Sequence, residues 1–201
     1  MKKFNDYETT QSYSNSEKLP VGGYVLKVAN VRYEEGQNGN SDRIQLMFDI
    51  AEGEQKDFFR KQYDAQTSED KKWKGTVAIY VPKDDGTEQD GWTKVRFKTV
   101  MENFESSNPG YKWNWDENSL KGKLIGGIFV DTYSVIDGRE ICYTSLVPKN
   151  IRTIDCIRSG NYKMPEPIKK NGATGNVSAA NNNSGNDFMS IPKGSEEEIP
   201  F

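Results

Sequence analysis

Histidine is absent from the 201 residues, which removes Ser-His-Asp and Cys-His catalysis and every metal site built on imidazole. Cysteine is scarce: Cys142 and Cys156 stand among apolar neighbours without metal-ligand spacing. They read as buried free thiols, with a disulfide as the alternative. No run of about 18 apolar residues occurs, and Met1–Ser16 is polar with no apolar signal region. A cytoplasmic chain without a membrane partner is expected. Neither a Walker loop nor a dinucleotide fingerprint is present. Carboxylates are plentiful, yet none is paired in a context that would raise a pKa for acid–base work. Two-metal nuclease chemistry is the one enzymatic option left open. The expectation is a non-enzyme with no cofactor and no metal.

A strong charge of either sign is missing too, with 27 Lys and Arg against 30 Asp and Glu and a net charge of −3. Residues 165–201 hold 3 of the basic and 5 of the acidic side chains, so the part before them is neutral overall. Gripping a duplex through many phosphates needs more cations than that. Any nucleic-acid site has to be a local basic groove with stacking rings.

Rings are what the chain does have, with 4 Trp, 10 Tyr and 9 Phe. They suffice for one core and leave some for a surface. The length suits one domain of about 150 residues and an appendage. Residues 1–18 are polar and read as an N-terminal arm. From Tyr24 apolar positions fall on Tyr24, Leu26 and Val28, then change phase to Val31 and Tyr33, which predicts a first strand with a bulge at Ala29-Asn30. A second strand alternates cleanly, with Ile44, Leu46, Phe48 and Ile50 on one face and Arg43, Gln45, Met47 and Asp49 on the other. Phe58 to Tyr63 reads as a third strand whose faces, Phe59-Lys61-Tyr63 and Phe58-Arg60-Gln62, each mix a ring with cations.

Lys71, Lys72 and Lys74 flank Trp73 in a polar segment. That ring is either a base-stacking platform in a basic loop or an indole lid over a barrel end. Thr76–Val81 is a short extra strand, and Pro82–Gly91 an acidic loop without calcium-loop spacing. Phe97, Val100, Met101 and Phe104 predict a helix over Thr93–Phe104. Its cations Lys94, Arg96 and Lys98 line either a solvated face or a groove. Trp113 and Trp115 stack on bases or pack over the helix end. Lys123–Val135 reads as an apolar strand bent at Gly126 and Gly127, and Ile136-Asp137-Gly138-Arg139 as a hairpin turn into Glu140–Val147. Ile151, Ile154 and Ile157 dock a last short element.

Composition changes at Met164, where Asn, Gly, Ser and Ala take over. Residues 164–195 read as a disordered linker, with a reach of about 25 Å over its middle twenty or so residues. Asp187-Phe188-Met189 is a weak second anchor or a stray apolar patch. The chain then closes on Glu196-Glu197-Glu198-Ile199-Pro200-Phe201. Three carboxylates steer, Pro200 holds Ile199 extended, and Phe201 with its terminal carboxylate suits a basic-rimmed apolar pocket on another protein.

That hexapeptide resembles the acidic tip of bacterial and phage single-stranded DNA-binding proteins, where an Asp-rich run ends in Ile-Pro-Phe; here the acids are Glu. The core is similar to phage and mobile-element proteins of single-strand-binding type over residues 19–160, in runs such as Asp49-Ile50-Ala51-Glu52-Gly53-Glu54 and Lys71-Lys72-Trp73-Lys74-Gly75. The element order resembles the OB-fold, a five-stranded Greek-key barrel with one helix between its third and fourth strands. Together they imply a mainly β, OB-fold-like domain at 19–163. Its expected role is to protect single-stranded DNA, with the tip recruiting DNA replication and recombination proteins. The expected DNA contacts are Arg43, Phe59, Arg60, Lys61, Tyr63, Lys71, Lys72, Trp73 and Lys74. Two competing functions remain: an interaction module that mimics the tip without binding DNA, and an exonuclease or recombination accessory factor. Oligomeric state is open, a homo-oligomer included.

Overall fold

The computed structural model describes residues 18–175 except 38 and 68. Residues 1–17 of the arm, 176–195 of the linker and the tip Glu196–Phe201 lie outside the described residues.

The chain is mainly β. Strand β1 (Gly22–Glu34) has its bulge where the apolar phase shifts: Val28 faces Phe48, Asn30 faces Met47, and Ala29 is the extra residue. β2 (Arg43–Ile50) buries the four apolar residues of its alternating face, each at 3% exposure or less. β3 (Thr76–Tyr80) pairs with β2 and buries Val77 and Ile79. After helix α2 (Glu88–Ser107), β4 (Leu124–Ile136) returns beside β1 and then turns with β5 (Arg139–Ser145) into a hairpin. Asp137 at φ 50° and Gly138 at φ 73° make the two-residue turn whose twist matches its strands. The sheet order is β3-β2-β1-β4-β5, antiparallel throughout. Two short strands add to β4: β6 (Ile151–Arg152) antiparallel and β7 (Ile168–Lys170) parallel.

Phe58–Tyr63 is not a strand. Phe58–Asp64 is helix α1, and the alternation of rings and cations there is incidental. The carboxylate of Asp49 accepts the backbone N–H of Phe59 (3.0 Å) and Arg60 (3.1 Å), donors that a first helical turn leaves unpaired. Phe58 and Phe59 are both buried. The short strand β3 therefore takes third place in the sheet.

α2 starts at Glu88, inside the segment read as an acidic loop. The Thr87 hydroxyl accepts the N–H of Asp90 (3.2 Å), an N-cap placed before two acidic residues of the first turn. Asp90 is itself buried, and its carboxylate collects the N–H groups of Lys83 (2.8 Å) and Asp84 (3.2 Å). Phe97, Val100, Met101 and Phe104 face the core, where Phe48, Phe59 and Phe129 meet at 5.6–6.2 Å. Helix α3 (Ile154–Arg158) closes against β4, where a Cβ on Gly126 would lie 2.6 Å from Ile157 Cγ1. Gly126 is required for this close approach.

The folded body runs past 163, into the span that composition assigns to the linker. Ile168–Lys170 pair with Thr132–Ser134, and Ala173 is buried. The Glu140 carboxylate then accepts the N–H of Thr174 (3.0 Å) and of Gly175. A chain ending at 175 is expected to be more stable than one ending at 163 by about 2 kcal/mol, from the lost burial and hydrogen bonds. In a body of this size that lowers the melting temperature by roughly 4–8 °C. Paired thermal melts check it, equal midpoints being the contrary result.

Candidate nucleic-acid interface

Alternation along β2 leaves Arg43, Gln45, Met47 and Asp49 on the side away from the core, all half-buried. The register sets their neighbours. Tyr80, Arg43 and Glu34 form one row across β3, β2 and β1; Ala78, Gln45 and Arg32 the next; Thr76, Met47 and Asn30 the third. Tyr80 is 48% exposed, and the Arg32 side chain 72%. Arg43 Nε donates to Glu34 Oε2 at 2.7 Å, which ties the guanidinium to its neighbour across the β1–β2 pair. The face thus offers a ring, two guanidiniums, an amide and a thioether, groups that hold bases and a few phosphates without a strong field.

The β1–β2 loop borders this face. Asp42 accepts the N–H of Gly36 (2.8 Å) and the Tyr33 hydroxyl. The Gly36 amide, then the phenol, hold its carboxyl below the ordinary carboxylate range, and the same phenol bond pushes Tyr33 up. A depressed carboxyl supports the loop above its unfolded value, and that support is lost as pH falls through the lowered one.

At the other end of β2 the expected DNA contacts converge on one lobe, α1 and the 65–75 loop. The side-chain amide and carbonyl of Gln66 bond both backbone groups of Lys72 at 2.8 Å, clamping the loop to the helix. Lys71 Nζ stands 5.7 Å over the Tyr63 ring and donates to the Asp64 carbonyl (3.2 Å). Lys61 Nζ donates to the Lys56 carbonyl (3.0 Å), and Lys72 Nζ lies 3.8 Å from Asp70. Arg60 is exposed, Lys74 half-buried. Phe59 is 7% exposed and edge-on to Phe48, so it is core and meets no ligand. Arg43 stands apart from the lobe, about 20 Å away along the strand.

Trp73 packs against the core, with Nε1 donating to the Phe48 carbonyl (3.0 Å) and the ring 5.7 Å from Tyr63. Of the two readings of this ring, the geometry is that of the lid. Trp113 likewise packs on Phe97 at 6.1 Å, while Trp115 is 78% exposed. Sequence reasoning missed Tyr80 and Arg32, because only the register brings them beside Arg43 and Gln45. Among the described residues no group of three or more Cys, Asp or Glu is arranged for a metal ion. Both cysteines are free and half-buried. No described helix is long and apolar enough to cross a membrane.

If Trp73 is a lid, Trp73→Ala lowers stability in urea by about 2–4 kcal/mol, the cost of emptying a large partly buried ring site. Trp73→Phe should recover much of it. A Trp73→Ala chain as stable as the wild type would make the ring a surface group.

Compared with known proteins, the chain matches no family model, and no curated protein matches it.

Proposed function

We propose that this chain is a single-stranded DNA-binding protein of a phage or mobile element. Its body is an OB-fold-like barrel, left open between β3 and β5, and its Glu196–Phe201 tip recruits replication and recombination proteins. Order β3-β2-β1-β4-β5 with α2 between β3 and β4 is that of an OB barrel unrolled at one seam. The observation that carries the reading is the Tyr80–Arg43–Glu34 row on the outer face of β2 and β3, the face such barrels turn to oligonucleotides. A strand laid there stacks a base on Tyr80 and meets Arg43 and Arg32 with its phosphates. The lobe cations Arg60, Lys61, Lys71, Lys72 and Lys74 extend the track past Asp49, whose outward carboxylate binds the start of α1. Such work belongs in the cytoplasm, beside replicating DNA, and calls for no catalytic group or cofactor.

One observation favours the rival, a tip-bearing module that does not bind DNA. Several cations already have partners within the chain: Arg43 on Glu34, Lys61 on the Lys56 carbonyl, Lys71 on the Asp64 carbonyl. Deleting Ile199–Phe201 separates the two. DNA binding survives in the first case, and all activity is lost in the second.

Quenching of the four tryptophans by poly-dT at low salt, reversed by added salt, tests the main reading. Tyr80→Ala should weaken binding about tenfold through lost stacking. Arg43→Ala should also reduce the salt dependence by about one phosphate contact. Absence of any low-salt binding removes the proposal.

A further inference from the structure

Trp115 is the most exposed large apolar side chain among the described residues, at 78%. Its backbone adopts φ 65°, a left-handed conformation that costs a bulky residue on the order of 1 kcal/mol or more. The chain holds the ring there rather than letting it relax. Its plane lies within 15° of Phe97, centroids 6.1 Å apart, and Phe97 is 5% exposed and anchored in the core. The Glu105 carboxylate fixes the approach by accepting the Trp113 N–H (3.0 Å) and Lys112 Nζ (2.7 Å). Asn114 and Asp116 fix the exit through bonds to the N–H of Asp116 (3.2 Å) and Asn118 (3.0 Å). The result is a rigid flat indole backed on one side by a second ring.

What surrounds that ring decides its ligand. Lys112, Asn114 and Asp116 are exposed and polar, so the indole is not the centre of an apolar patch. A protein partner's anchor pocket needs such a patch. A lone free π-face in polar surroundings suits another flat ring with polar edges, which describes a nucleobase. The turn of 3-10 helix that follows, Glu117–Leu120, is tied to β1 through Gly122 N–H to the Val28 carbonyl (2.8 Å) and Val28 N–H to the Lys123 carbonyl (2.9 Å). Tyr33 and Tyr80 end their strands on opposite faces, Tyr33 paired with Ile44 of the core face and Tyr80 with Arg43 of the outer one.

We infer that Trp115 is a stacking site for a base of the bound single strand, separate from the Tyr80–Arg43 row. This rests on the DNA-binding reading above. Asp116 and Glu117 keep phosphates at a distance, so the site contributes stacking without counterion release. That separates it from a basic contact, whose loss changes the salt slope.

The experiment titrates the full chain with oligo-dT of increasing length at several salt concentrations. Trp115→Ala and Trp115→Gly should each weaken binding about tenfold, shorten the occluded site and reduce the quench amplitude, with the salt slope unchanged. Trp115→Phe should retain most of the affinity. Glycine accepts the left-handed backbone, so Trp115→Gly removes the ring without strain and excludes misfolding as the cause. Wild-type binding that neither Trp115→Ala nor Trp115→Gly weakens overturns this site alone. A wild-type chain that binds no single strand removes the site and the function together.

Discussion

Two strands that each serve two neighbours determine the shape of this molecule. β1 gives its first half to β4 and its second to β2, and only Leu26 and Lys27 are paired on both sides. β4 does the same, passing from β1 to β5 between Phe129 and Val130. A strand shared in this way cannot lie in a flat sheet. The extra residue at Ala29 strengthens the twist where β1 changes partner. The inner faces therefore wrap one core of Phe48, Phe59, Phe104 and Phe129, with α2 beneath it. Everything outward-facing inherits its position from that wrap, including the row that sets Tyr80 beside Arg43.

The same sharing explains the end of the folded body. Once β4 leaves β1, the edge it showed to β1 has no partner in the five-strand order, and unpaired strand edges attract added strands. Ile168–Lys170 takes that edge at Thr132–Ser134, and Glu140 on the hairpin binds the residues that follow. Lys18 contacts Asp131 and Cys142 of the same hairpin (2.6 and 3.1 Å). Both ends of the described chain are thus fastened to one hairpin.

The legible parts of the fold were those with a local period. Ile44 to Ile50 alternates without a break, the phase shift after Val28 marks the bulge, and Asp137-Gly138 marks the turn. Phe58–Tyr63 misled because its helix rests on a long-range cap from Asp49, and no local pattern records a carboxylate in another element. The Asn- and Gly-rich composition after Met164 hid a strand whose reason to exist is an edge on β4. The candidate site divided along the same line. Lys61, Tyr63, Lys71, Lys72, Trp73 and Lys74 do come together, because they are near in sequence. Tyr80 and Arg32 join Arg43 only through register, and Phe59 was misjudged because alternation cannot tell a core ring from a surface ring when the element is a helix.

Near-neutral charge is then a constraint on mechanism. With Arg43 held by Glu34 and several lysines held by backbone carbonyls, phosphate attraction alone gives weak, salt-sensitive binding. On the proposed reading, retention of a single strand has to come from rings. Among the described residues the exposed aromatic side chains are Tyr33, Tyr80, Trp92 and Trp115. Tyr33 and Tyr80 end β1 and β3 at the edge where the Val81 N–H meets the Asp42 carbonyl. Trp92 follows Asp90, which holds the loop leaving β3, and Trp115 lies against Phe97 less than two turns further along α2. Tyr33 and Tyr80 thus stand at the end of the sheet away from the basic lobe. On the proposed DNA-binding reading the work divides: cations of the lobe guide the strand in, and the exposed rings hold its bases.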